Sequence, residues 1–252
     1  MGKKEAFDMV ETSLVLAVQN VTKRFGGLVA VNNLSFDVSR NEVMGIIGPN
    51  GSGKTTMMNL ISGALALNEG TISLNGRYIS RLSSHEINRR GIARTFQLVR
   101  ILPSLTLLEN AMAGMVFGHQ RLWGEQARHE ASKLLERVGL GGQQSVPATA
   151  LTYIDQKRLE LARALAAKPE VLLLDEWLAG LNPTELQEGI DLIHSLRDEG
   201  ITIILVEHVM DAIRSLCDRC LVMAAGAKIA EGRPQEVLSD PEVIKVYLGE
   251  DI

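Results

Sequence analysis

The run Gly48-Pro49-Asn50-Gly51-Ser52-Gly53-Lys54-Thr55-Thr56 restricts the possible folds of this chain more than any other stretch. Gly48, Gly53, Lys54 and Thr55 satisfy G-x-x-x-x-G-K-[ST], the phosphate-binding P-loop. That motif has meaning only between a strand and a helix, and both flanks read so. Val43-Met44-Gly45-Ile46-Ile47 is a buried-strand pattern, and Met57-Met58-Asn59-Leu60-Ile61 continues as an apolar-faced helix. Glycines without Cβ let the backbone N–H groups from Asn50, Gly51, Ser52, Gly53, Lys54, Thr55 and Thr56 curl around phosphate oxygens. The helix beginning there turns its partial positive end toward the same anion. Lys54 adds a point charge for the β- and γ-phosphates, and the Thr55 hydroxyl suits Mg2+.

The chain has 252 residues, 46% of them hydrophobic, enough for one large domain or a core with a subdomain. A net charge of −4 argues against a broad basic face for nucleic acid. The two cysteines, Cys217 and Cys220, form C-x-x-C. A metal site would need two more ligands and none cluster nearby, so the pair reads as small packing residues. No apolar run reaches bilayer-spanning length. The start, Met1 to Glu5, lacks a following apolar segment, and Ala6 stands where N-myristoylation wants Ser or Thr. A soluble, cytoplasmic protein is expected, with any membrane role reached through a partner.

Residues 1–13 are polar and expected to be frayed. Leu14 to Val18 and Leu34 to Val38 read as antiparallel strands, with Gly26-Gly27 and Asn32-Asn33 as turns between strands. Phe25, beside two glycines, is read two ways: a ring stacking on a purine base, or a core or edge aromatic. Ser83 to Glu86 caps a short helix, which leaves His85 at the surface, and Gly91 to Gln97 returns to extended chain. From 98 to 150 the texture turns helical, over Leu105–Met115 and Arg121–Val138, with Gly139, Gly141 and Gly142 as the stop. This reads as a helical insert in an α/β core. Beyond it, strands and helices alternate, which predicts a parallel sheet.

Four apolar runs end in polar groups: Val43–Ile47 at the P-loop, Phe96 at Gln97, Leu174 at Asp175-Glu176, and Val206 ahead of His208. In an open parallel sheet, ligands bind beyond the carboxyl ends of the strands, so these groups converge on one nucleotide. Asp175 suits a direct or indirect Mg2+ contact. Glu176 suits polarisation of an attacking water.

In that order the motifs resemble those of the ATP-binding cassette (ABC) transporter ATPases, over about residues 14–249. The resemblance implies an α/β P-loop NTPase fold: an ABC ATPase core with an antiparallel β subdomain and an inserted helical subdomain. It implies one domain over 14–252, with core 14–97 and 151–235, helical subdomain 98–150 and a helical tail 236–252. It makes Gly48–Thr55 the Walker A motif, and Asp175 with Glu176 the Walker B motif and catalytic glutamate. Gln97 becomes the Q-loop glutamine sensing Mg2+ and the membrane partner, His208 the switch histidine, and Phe25 the adenine-stacking aromatic. Ala179-Gly180-Leu181-Asn182 resembles the D-loop, with Asn182 where Asp is commoner. Lys23 to Val31, Gly91 to Gln97 and Tyr247-Leu248-Gly249-Glu250 resemble the larger ATPase subunit of branched-chain amino acid importers; importers of urea, amides or other small solutes share these runs. ATP and Mg2+ are the implied cofactors. A second ATPase subunit, permease subunits and a periplasmic or extracellular substrate-binding protein are the implied partners, with the chain peripheral on the inner face of the membrane.

Two departures stand out. Leu151-Thr152-Tyr153-Ile154-Asp155 occupies the place of the Leu-Ser-x-Gly-Gln signature, which completes the nucleotide site of the opposite subunit in that family. Thr152 keeps a hydroxyl, whereas Ile154 replaces the glycine whose bare backbone approaches the γ-phosphate. Asp155 brings a negative charge toward phosphate, unless it caps the following helix and faces away. The second departure is Trp177, where Pro is usual. These changes motivate a rival reading as a non-transport ABC regulator, against which Glu176 and His208 speak. A soluble ABC protein acting on ribosomes or DNA would carry tandem cassettes or a long coiled coil, and neither pattern occurs.

Overall fold

A computed structural model describes residues 14–117 and 122–248. The polar start and the last four residues, including Gly249 and Glu250, lie outside these. Strands β1 (Leu14–Phe25) and β2 (Leu28–Ser39) form a long antiparallel hairpin. With β4 (Glu69–Leu74) and β5 (Arg77–Tyr78) they make a four-stranded antiparallel sheet, ordered β2-β1-β4-β5. β1 and β2 are more than twice the expected length. Gly26, at φ 57°, makes the hairpin turn, but Asn33 (φ 48°) is not a turn between strands. Asn33 and Asn20 (φ 51°) sit at or beside register shifts, where an asparagine tolerates the left-handed conformation and the strands continue past it.

The second sheet holds β3 (Val43–Ile47), β6 (Ile92–Arg94), β7 (Val171–Asp175), β8 (Thr202–Val206), β9 (Arg219–Ala224) and β10 (Ala227–Gly232). Its order is β10-β9-β3-β8-β7-β6, all parallel except the terminal β9-β10 hairpin. The parallel strands therefore end on one edge. Each central strand is buried on both faces, which is why these strands read as unbroken apolar runs. Val43, Ile47, Leu172, Leu174, Ile203 and Leu205 face one core, shared with the helical half. Met44, Ile46, Leu173, Ile204 and Val206 face the other, shared with the antiparallel sheet and α1 (Lys54–Ile61). Gly45 is required where the two cysteines pack: a Cβ would lie 2.9 Å from Cys217 Sγ and 3.1 Å from Cys220 Sγ. Both thiols are free and buried. The contact with Cys220, and burial after it, hold the Cys217 thiol well above its usual range, as suits packing rather than reaction.

Short helix α2 (Ser84–Arg89) opens on a capping box from Ser83 and Glu86. Helices α3 (Leu107–Phe117) and α4 (Gly124–Arg137) pack against α5 (Tyr153–Leu165), burying Leu107, Ala111, Met115, Ala131 and Leu135. Gly139 (φ 82°) ends the α4 segment. α6 (Pro183–Asp198) joins β7 to β8, and α7 (Met210–Leu216) joins β8 to β9. α8 (Pro234–Val237) and α9 (Pro241–Leu248) close the described chain. On α9, partial burial pushes the Tyr247 phenol up to about 12, opposed by the nearby Gly48 backbone.

Candidate active site

Between β3 and α1 the loop follows the expected strand–turn–helix path. Gly48 (φ 148°) tolerates no side chain, because a Cβ there would meet the Met223 carbonyl oxygen at 2.1 Å. Gly53 is the left-handed N-cap of α1, φ 104°, and a Cβ there would meet the Ala30 carbonyl oxygen at 2.4 Å. The glycines thus press the loop against the two sheets and leave its amides toward the open side. That side is a cleft of about 570 Å3 lined by Phe25, Ala30, Asn50, Gly51, Gly53, Lys54, Thr55, Thr56, Gln97 and Glu176, with Leu28, Val29 and Ala225. Ser52 lies beneath it, and its buried hydroxyl has no partner among the described residues. Phe25 is no core residue: it is 44% exposed at the end of β1, on the cleft wall, with Lys23 Nζ 5.0 Å from its ring centroid.

Lys54 is 6% exposed. Burial lowers its ammonium below the usual lysine range, opposed by Glu176 and Asp175. Two of its protons go to the Gly48 and Pro49 carbonyls, at 2.8 and 2.9 Å. An ammonium has three donors, so one remains for an anion in the cleft.

Across the cleft stand the strand ends. Asp175 closes β7 with 1% exposure. Its Oδ2 accepts from Arg94 at 2.7 Å, whereas its Oδ1 is buried without a hydrogen-bond partner. Glu176 follows in the left-handed region, φ 50°, tied by its N–H to the Val206 carbonyl at 2.8 Å. One Glu176 oxygen accepts from Gln97 Nε2 at 2.7 Å, and the other meets His208 Nε2 at 2.9 Å. The residues from three strand ends therefore converge on one carboxylate. Glu160, buried in α5, accepts the N–H groups of Phe96 (3.3 Å) and Arg100 (2.9 Å) and so fixes the loop carrying Gln97. Burial raises its carboxyl above the usual glutamate range.

Arg94 is a site residue that the motif reading passes over. Its guanidinium joins Asp175 to Asn59 (2.6 Å) and Ser62 (3.1 Å) of the P-loop helix segment. The only sequence signal is its place at the end of a short strand, three residues before Gln97.

Thr152, Ile154, Asp155 and Asn182 do not line this cleft. Thr152 is the N-cap of α5, accepting the Asp155 N–H and donating its hydroxyl to Asp155 Oδ2 at 2.7 Å. Arg158 pairs with Asp155 at 3.4 Å. The cap is therefore Thr152, and the Asp155 carboxylate is held at the first turn by the Thr152 hydroxyl and Arg158. Ile154 sits in a groove with Arg158, Trp177 and Glu188. Asn182 caps α6, accepting from Thr184 and Glu185 N–H at 3.0 Å each, while Glu185 accepts the Asn182 N–H at 3.0 Å. Trp177 is 2% exposed, and its indole N–H donates to the Lys157 carbonyl at 3.2 Å. A proline could not make that bond.

The ABC transporter family model matches residues 31–179, and the model described as branched-chain amino acid ATP-binding cassette transporter matches residues 227–252. The high-affinity branched-chain amino acid transport ATP-binding protein LivG of Salmonella typhimurium is 40% identical, over 94% of this chain and 98% of its own. The fold is similar to a crystal structure of an ABC transporter's ATP-binding cassette in its ADP conformation (TM-score 0.87, 33% identity, 95% of this chain and 100% of that one). It is also similar to a dimeric post-hydrolysis cassette bound to ADP and Pi (TM-score 0.79, 27% identity, 87% and 98%).

Proposed function

Because this chain belongs to the ABC transporter family, we propose that its cleft binds and hydrolyses ATP to drive branched-chain amino acid import. One observation carries the catalytic part: Gln97, Glu176 and His208 meet at a single carboxylate opposite the P-loop. The loop amides and Lys54 hold the phosphates, and Phe25 offers a ring face to the base. Glu176 takes a proton from the attacking water; His208 and Gln97 orient that carboxylate and sense the γ-phosphate side of the cleft. Catalysis of this kind is positioning and charge stabilisation.

The donor set fits Mg2+. The buried, unpartnered Asp175 Oδ1 is an anionic oxygen without a proton donor, and Thr55 and Gln97 add neutral oxygens on the cleft wall. Among the described residues no group of three or more His, Cys, Asp or Glu could hold a metal by itself. That suits an ion held by one carboxylate, phosphates and water. Thr55, Gln97 and Asp175 would hold it, and it would neutralise charge developing on the phosphate oxygens.

The partners follow from what the cleft lacks. Thr152, Ile154 and Asp155 lie elsewhere, so closure over the nucleotide comes from a second ATPase chain, and this chain's signature serves that partner's site. With Asp155 held by Thr152 and Arg158, Ile154 is the main obstacle to phosphate approach in that second site. A heterodimer whose second chain has an intact signature makes the two composite sites unequal, whereas a homodimer carries Ile154 in both. No described helix is long and apolar enough to cross a membrane. As in an ABC transporter, membrane coupling runs through permease subunits, with the chain on the inner face and a substrate-binding protein outside. The solute assignment rests on the relatives' names and on the match at 227–252. Proteoliposomes holding the complete transporter test it: ATP-dependent uptake of labelled leucine, isoleucine or valine is expected. Uptake of urea or an amide in their place would contradict it.

A further inference from the structure

Two ionisable side chains near the cleft belong to none of the motifs, and both are 2% exposed: Lys157 and Glu207. Lys157 lies on α5, and Glu207 follows β8 and precedes His208. They grip the same turn, 176–179, from two elements. The Lys157 ammonium donates to the Trp177 carbonyl at 2.9 Å and the Ala179 carbonyl at 2.7 Å, with the Glu176 carbonyl at 3.4 Å. Glu207 Oε1 accepts the Leu178 N–H at 2.6 Å. Within the turn, Ala179 N–H donates to the Glu176 carbonyl at 3.2 Å, and the Trp177 indole closes the loop onto the Lys157 backbone.

This turn begins at Glu176, whose φ of 50° is unusual for a glutamate. A backbone held there costs about 1–3 kcal/mol and persists only where its surroundings over-determine it. A buried ammonium with three carbonyls and a buried carboxylate on the neighbouring amide supply that constraint. The second Glu207 oxygen has no hydrogen-bond partner among the described residues, so the arrangement is kept despite an incompletely satisfied carboxylate.

From this geometry we infer that Lys157 and Glu207 are positioning residues for hydrolysis, clamping the 176–179 turn so that the Glu176 carboxylate stays aimed between Gln97 and His208. Neither residue lines the cleft. Lys157 works from the helix that Thr152 caps, and Glu207 from the strand that delivers His208, so the clamp joins the elements around the carboxylate. The inference rests on the hydrolytic reading above.

The test is steady-state ATP hydrolysis and ATP binding by the full-length chain in its transporter complex, for wild type, Glu176→Gln, Lys157→Met, Glu207→Leu and Glu207→Gln. A misaimed catalytic group costs rate without costing ground-state binding, so Lys157→Met and Glu207→Leu should lower kcat about tenfold or more while ATP affinity stays within about twofold. Glu207→Gln keeps an acceptor for the Leu178 N–H and should recover at least about threefold over Glu207→Leu. Wild-type kcat in folded Lys157→Met would overturn the inference. So would a parallel loss of kcat and ATP affinity, or Glu207→Gln no better than Glu207→Leu. Where Lys157→Met does not fold, the two Glu207 variants decide alone. Absence of wild-type hydrolysis, or full hydrolysis in Glu176→Gln, overturns instead the reading on which the inference stands.

Discussion

At Asp175 one carboxylate oxygen is taken by Arg94 and the other is buried without a partner, with side-chain exposures of 2% and 6% for the two residues. Removing one member of such a pair leaves the other charge buried, which costs about 3–5 kcal/mol. Arg94→Ala should therefore lower unfolding stability by about that amount in urea titration, a larger loss than any surface ion pair here could produce. Glu207 gives a pH signature. Burial pushes its carboxyl up from 4.5 to about 7, despite the Leu178 hydrogen bond, the neighbouring His208 backbone and the nearby Lys157 charge; Glu176 acts in the same upward direction. The folded chain keeps this proton where the unfolded chain has lost it. The resulting stabilisation is complete below pH 4.5 and is lost as pH rises to about 7. The size is on the order of 3 kcal/mol. Thermal or chemical unfolding measured across that window should show the decline in wild type and a flatter profile in Glu207→Gln.

At the scale of elements, the turn after Glu176 makes one tight contact with α6. A Cβ on Gly189 would lie 2.6 Å from Leu178 Cδ2 and 3.2 Å from Trp177 Cζ3. Gly189→Ala should thus destabilise by about 1–3 kcal/mol through overpacking, against the usual gain of alanine over glycine in a helix; urea unfolding measures the sign. The parallel strands and α1 were legible because local pattern and burial agree there: an apolar run, a glycine loop, a helix face. The cap of α6 is equally local, since Asn182, Pro183 and Glu185 act within one turn. What escaped the sequence is what depends on distant partners. Arg94 meets Asp175 81 residues away, and Glu207 meets Leu178 29 residues away. No periodicity announces such pairs. β2 reads as broken at Asn32-Asn33 because a left-handed residue inside a strand looks the same as a turn until its neighbours pair.

For the whole molecule, the parallel order of β3, β8, β7 and β6 places the P-loop, His208, Glu176 and Gln97 on one edge, while Thr152 to Asp155 at the start of α5 do not line that cleft. On the proposed reading, a single copy carries a nucleotide-binding half-site and a separate signature for a partner's site. On that reading, Glu176 performs most of the hydrolysis of the assembled pair, because Ile154 weakens the opposite site. The direct measurement is ATP turnover by the reconstituted transporter in two forms, one with Glu176→Gln in this chain and one with the equivalent glutamate of the partner chain changed to glutamine. Loss of a general base predicts a fall of about a hundredfold or more in the first form and a clearly smaller fall in the second. Equal losses in the two forms, or turnover that survives Glu176→Gln, would contradict the account.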